Sequence, residues 1–246
     1  MRLLPVMTEF SLPFAQAAAG WSAEAYTRCD IRSERTGASA RVWDAGAATV
    51  AEFKGSSEPL DFLHDAEFWK EDGVHAGFLD DYQSIAAPVW HAVERYGANK
   101  PLILTGHSLG GALATLAAFH RPLWTSALYT FGCPRVFNGT KAGMFDACLR
   151  NRAWRVVHEE DIVARSPWLG YRHVGQHVLL DSYGSLEINP GLGSTVKSDF
   201  HGVWEAVERG GVGLGWAKAL LRKNEALIGD HFIQGYIAAM ERIKTP

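Results

Sequence analysis

Cysteine is scarce: the 246 residues contain only Cys29, Cys133 and Cys148. Three scattered thiols exclude a disulfide framework and a zinc site built on close ligand pairs, so they read as small core residues. No stretch of about 18 uninterrupted apolar residues occurs, which excludes an ordinary spanning helix. An excess of either charge is also missing. With 24 Lys and Arg against 27 Asp and Glu, a net charge of −3 creates no field that would gather nucleic acid or anionic lipid. Residues 1–7 carry one positive charge and a short apolar run that Pro5 interrupts, too little for an export signal. These absences predict a soluble, cytoplasmic protein whose contact with lipid surfaces is at most peripheral, and they leave its oligomeric state open. Internal repeats and low-complexity tracts are lacking too. Hydrophobic residues at 47% and charged residues at 21% are ordinary globular proportions, so one domain spanning 1–246 is expected.

What is present alternates between strand and helix patterns. Residues 14–26 place Phe14, Ala17, Ala18, Trp21 and Ala25 at helical spacing. Apolar runs at 40–43 and 48–53, joined by Asp44-Ala45-Gly46, read as a hairpin. Residues 77–96 carry Phe78, Tyr82, Ile85, Val89, Trp90 and Val93 on one helical face, with Pro88 expected to kink or restart the helix. Then come an apolar strand at 102–104, a glycine-rich turn at 106–111 and a small-residue helix at 112–119. A strand at 127–131, a helix at 139–148 and a strand at 154–158 continue the alternation. Residues 173–181 read as a strand pair, 189–215 as a loose Gly-rich stretch with a short helix near 203–207, and 221–243 as ending in a helix. That last helix would bury a stripe of Phe232, Ile233, Tyr236, Ile237, Met240 and Ile243. The order predicts an α/β fold, a largely parallel sheet with helices on both faces, whose function gathers at the carboxyl ends of the strands.

Gly106-His107-Ser108-Leu109-Gly110 fits a nucleophile elbow, in which small flanking residues let a strained strand-to-helix turn lift a serine hydroxyl above the sheet. The apolar strand before it and the Ala-rich helix after it supply the context that the pentapeptide alone lacks. A serine hydroxyl needs an imidazole to take its proton, and the imidazole needs a carboxylate to fix its tautomer. In chain order the acid and then the histidine should follow. Asp161, after the strand at 154–158, is the best placed acid; the rival reading makes Glu159, Glu160 and Asp161 a solvated loop or a cation site. Of His173, His177, His201 and His231, the last opens the final helix from a loop, and His201 is the replacement base. The nucleophile is Ser108.

Several separated motifs resemble the class 3 lipase family, which has an α/β-hydrolase fold. They are Phe53-Lys54-Gly55-Ser56-Ser57, followed by Asp61-Phe62-Leu63 and Asp65; Val74-His75-Ala76-Gly77-Phe78; residues 105–112 around the elbow; residues 130–136; Asp161-Ile162-Val163; and Asp230-His231 with Tyr236. The resemblance implies a carboxylic ester hydrolase with Ser108, Asp161 and His231 as its triad, and Ser56 and Leu109 as oxyanion residues. It implies no metal and no organic cofactor, and an ester or lipid substrate. His75 and His107 would hold backbone and packing. Phospholipase, thioesterase, acyltransferase and a non-catalytic binding role remain as alternatives. Lys54 stands where the family usually has Arg, Cys133 where a small polar residue is expected and Phe137 where Gly is expected. The segment 57–73 is short for a lid helix.

Overall fold

A computed structural model describes residues 7–57, 70–97, 99–158, 161, 163–166, 170–181, 184–190 and 231–243. Helix α1 (Leu12–Arg28) is followed by strands β1 (Ile31–Arg32), β2 (Ser39–Asp44) and β3 (Thr49–Phe53). A small hairpin, β4 (Lys70–Glu71) and β5 (Val74–His75), leads into α2 (Ala76–Gly97). Next come β6 (Leu102–His107), α3 (Leu109–His120), β7 (Thr125–Phe131), α4 (Gly139–Leu149) and β8 (Ala153–His158). Strands β9 (Gln176–Leu180) and β10 (Leu186–Ile188) precede the last described helix, α5 (Ile233–Glu241).

The main sheet has the order β1-β2-β3-β6-β7-β8-β9-β10. Its centre, from β3 through β9, is parallel, and antiparallel pairs close both edges. Alternation along the strands divides the core into two layers. On β6, Leu102 and Leu104 pack with α2, α3 and α4, whereas Ile103 faces α1 and α5. This mostly parallel sheet with helices on both faces is the predicted architecture.

Local chemistry explains the boundaries. Ser11 caps α1 by accepting from the Phe14 N–H at 3.4 Å. The buried face of α1 is Ala15, Ala18, Ala19, Ser22 and Ala25, rotated from the expected stripe: Ala17 is exposed. Small residues take the line of closest approach to the sheet, and Phe14 and Trp21 flank it, edge to face at 5.7 Å. Helix α2 buries the six residues its periodicity predicts. It runs through Pro88 without restarting, because Pro88 is exposed and water can reach the carbonyl that its missing N–H leaves.

Other expectations need correction. The strand pair at 173–181 is a single strand, β9, whose antiparallel partner β10 lies beyond Asp181. On α5, Ile233, Tyr236, Ala239 and Met240 are buried, but Phe232 is 46% exposed because it precedes the first helical turn. Only Cys133 of the three cysteines is buried; Cys148 lies on the outer face of α4. The expected helix near 203–207 falls outside the described residues, as does His201.

Candidate active site

Strand β6 and helix α3 meet at Ser108, which has φ 57° and ψ −127°. Positive φ is costly for any residue with a Cβ, so the surroundings must hold the turn. They do so through two glycines. A Cβ on Gly106 would sit 2.3 Å from the Gly110 carbonyl, and one on Gly110 would sit 2.1 Å from the Phe53 oxygen. The elbow therefore presses against the end of β3, and the Ser108 N–H donates to Phe131 on β7 at 2.9 Å. Although Ser108 occupies the cap position of α3, its hydroxyl makes no capping bond. It is left for another partner.

That partner is His231, two residues before α5, whose Nε2 lies 2.9 Å from Ser108 Oγ. The other ring nitrogen, Nδ1, lies 2.9 Å from both carboxylate oxygens of Asp161. A carboxylate only accepts, so Nδ1 carries the proton and Nε2 is free to accept from the serine hydroxyl. Asp161 sits past the end of β8 and is fully buried. It also accepts from the Val163 N–H at 2.9 Å, the Ala164 N–H at 3.2 Å and the Tyr236 hydroxyl at 2.5 Å. Burial alone would raise this carboxyl, but the His231 ring and the hydrogen bonds from His231, Tyr236 and Ala164 outweigh it and hold the pKa below its ordinary value. Burial, reinforced by Asp161, holds the Tyr236 phenol well above its ordinary value, so it stays a donor.

A second row of residues supports the first. His107 Nε2 approaches the His231 backbone carbonyl at 2.5 Å, and the Tyr26 hydroxyl of α1 lies 2.8 Å from His107 Nδ1. A carbonyl cannot donate, so Nε2 is the protonated nitrogen and Tyr26 donates to Nδ1. Burial, with the neighbouring His231 ring, pushes His107 down to about 3, which keeps it neutral. Gly132 has φ +58°, and a Cβ there would lie 2.6 Å from Asp161 Oδ2 and 3.1 Å from the His231 ring.

The expected oxyanion residues flank the elbow. Leu109 opens α3, where the first N–H groups of a helix have no acceptor within it. Ser56 follows β3, the parallel neighbour of β6, and the intervening Gly55 would place a Cβ 2.7 Å from the His107 carbonyl and 2.2 Å from the Tyr26 hydroxyl. His75 stacks on Phe78 at 4.1 Å and serves packing. Phe137, where glycine was expected, fills space between Phe119 and Phe145 at 5.0 and 5.9 Å. His173 and His177 lie away from the serine: His177 is on β9, beside Arg155 of β8. Asp65 and the rest of residues 58–69 fall outside the described residues. Among the described residues no cluster of His, Cys, Asp and Glu could hold a metal ion, and no helix is long and apolar enough to cross a membrane.

Tyr26, Gly132 and the bond from Tyr236 to Asp161 were not read from sequence. Only the position of Gly132, directly after a buried strand, carried a signal.

A positive-φ serine between a central parallel strand and a buried helix, with later loops bringing imidazole and carboxylate, defines the α/β-hydrolase fold. The chain belongs to the class 3 lipase family: the model described as Lipase (class 3) matches residues 41–170, more than half of it. A secreted mono- and diacylglycerol lipase of Fusarium solani is 40% identical over 116 residues, covering 44% of this chain and 34% of that protein. A secreted mono- and diacylglycerol lipase of Malassezia globosa is 28% identical over 165 residues, covering 57% and 53%. The chain thus spans between a third and about half the length of these two curated relatives. Among solved structures, the lipase from Rhizopus microsporus var. chinensis superposes with a TM-score of 0.60 at 27% identity, over 68% of this chain and 74% of that one. The expected cytoplasmic location is overturned: the relatives from Fusarium solani and Malassezia globosa are named as secreted, which points outside the cell. The short, Pro-interrupted run at 1–7 was no basis for the opposite reading.

Proposed function

We propose that the chain is a serine carboxylic ester hydrolase acting on acylglycerol-type esters through an acyl-enzyme on Ser108. The observation that carries this is the continuous path from Asp161 through both nitrogens of His231 to the Ser108 hydroxyl. In this reading Ser108 Oγ attacks the ester carbonyl while His231 Nε2 takes its proton, and Asp161 stabilises the resulting imidazolium. The N–H groups of Leu109 and Ser56 receive the developing oxyanion. The collapsing intermediate expels the alcohol, which leaves with the proton from His231. Water, deprotonated by the same nitrogen, then releases the carboxylic acid and restores the serine. The eight-stranded sheet that runs from β1 at one edge to β10 at the other supports residues 1–246 as one domain. The relatives' printed names support acylglycerols as the substrate class.

The test is fatty-acid release from mono-, di- and triacylglycerols and from a phospholipid, for the parent and for Ser108→Ala. The parent should release acid from acylglycerols, and the variant should lose most of that rate, on the order of a millionfold as in the best-studied serine hydrolase. Release from phospholipid alone would reassign the substrate. No release from any ester would end the proposal.

A further inference from the structure

Strand β8 carries an arginine on its inward face. Ala153 packs in the layer of α2, α3 and α4 while Trp154 and Val156 face α1 and α5, so Arg155 shares the side of Ala153. Its Nε is sealed from solvent and has no hydrogen-bond partner. Its cross-strand neighbours are Thr130 on β7 and His177 on β9, neither of them a carboxylate.

Arg155 borders a cavity with space for one water-sized body. Arg172, His173, Thr115, Thr130 and Cys133 contribute the rest of its polar wall, and among the described residues no Asp or Glu lines it. The Thr115 hydroxyl is committed to the Gly111 carbonyl at 2.8 Å, and the Cys133 thiol donates to the Pro134 carbonyl at 3.3 Å. The Thr130 hydroxyl bonds the Cys133 thiol and His173 bonds the Ala164 backbone, which leaves the Arg155 Nε and the exposed Arg172 guanidinium as donors at the cavity. Burial pushes Arg155 down to about 10, which leaves it charged at neutral pH. Burial likewise pushes the Cys133 thiol up to about 12, so no thiolate balances that charge. His173 and His177 are both held neutral, by burial first and by Arg155 second. A half-buried guanidinium whose Nε is sealed from water is unfavourable without a counter-charge, whereas one paired with an anion is tolerated.

We propose that the cavity beside Arg155 and Arg172, beneath the junction of β7, β8 and β9, is a binding site for a small monovalent anion of halide size. It lies on the opposite side of the sheet from α5 and takes no part in the ester chemistry. An anion there neutralises the arginine of the strand that leads to Asp161, and it stabilises the folded chain by mass action.

The test compares thermal unfolding of the full chain in sodium chloride, in sodium bromide and in sodium gluconate of equal ionic strength. Chloride and bromide should raise Tm saturably, by roughly 5–10 °C at a hundred times Kd, while gluconate should not. Arg155→Met should abolish the difference. Crystals soaked in bromide should show an anomalous peak next to Arg155 Nε, a readout that stands even where the variant does not fold. Equal Tm in chloride and gluconate overturns the proposal, whether or not a peak is present, because the ion is then adventitious. A halide-dependent Tm with water or a carboxylate of the chain itself in the cavity overturns it as well.

Discussion

His107 Nε2 lies 2.5 Å from the backbone carbonyl of His231, so the residue just before the nucleophile also holds the segment that carries the imidazole. Two parts of the chain 124 positions apart are joined at the atoms where alignment matters. Because Tyr26 donates to the other nitrogen of His107, helix α1 reaches the same point through one more hydrogen bond. Tyr26→Phe keeps the ring and removes only the donor. With a net hydrogen bond near 0.5–1.5 kcal/mol, kcat should fall roughly 2- to 12-fold with KM little changed. Steady-state kinetics on one soluble ester measures this, and an unchanged kcat would reduce the contact to packing.

Tyr236→Phe removes a donor from a buried carboxylate, a loss of about 1.5–3 kcal/mol at pH 7. Because the folded state depresses the Asp161 pKa, its contribution is present above the ordinary carboxylate range and is lost as pH falls through the folded value. The variant should be less stable at pH 7, start to unfold at a higher pH on acidification, and converge with the parent once Asp161 is protonated. Denaturant titrations at several pH values check this. A gap that stays constant down to acid pH would contradict it.

Gly132→Ala asks the left-handed backbone for a Cβ that would meet Asp161 and His231. Backbone strain should cost about 1–2 kcal/mol of stability, whereas displacement of the acid and base should lower kcat on the order of a hundredfold. Comparing the unfolding midpoint with kcat separates the two. Parent-like activity would show that the site relaxes around the methyl group.

His107 supplies a pH dependence of opposite origin. Its folded pKa, about 3, lies below the unfolded value near 6.5, so the unfolded chain binds the extra proton between those limits. Stability is full above about 6.5 and declines as pH falls toward 3, by about 2 kcal/mol from this residue between pH 7 and 5. In His107→Gln that part of the slope should disappear. Denaturant midpoints at pH 7 and 5 for both proteins give the answer, and equal slopes would contradict it.

The alternation of elements was legible because each run kept a single period. The six buried residues of α2 and the buried strands around Leu104 and Tyr129 follow from spacing alone. Where closeness rather than hydrophobicity decided burial, spacing misled: Ala15, Ala19 and Ser22 displaced Ala17 from the face of α1. At the site, chain order and the loop position of His231 led to the three side chains that the fold brings together. Tyr26 and His107 were not legible as a pair, because their relation depends on which ring nitrogen meets a carbonyl from the far end of the chain. The charge deficit at Arg155 was hidden too, since it required knowing that His177 stands opposite on β9.

The most direct measurement is intact-mass analysis after exposure to a fluorophosphonate probe, followed by peptide mapping. One adduct per chain on Ser108, absent in Ser108→Ala and strongly reduced in His231→Ala, is the predicted result. Labelling that is absent from the parent, or that persists unchanged without His231, would contradict an activated serine at this elbow.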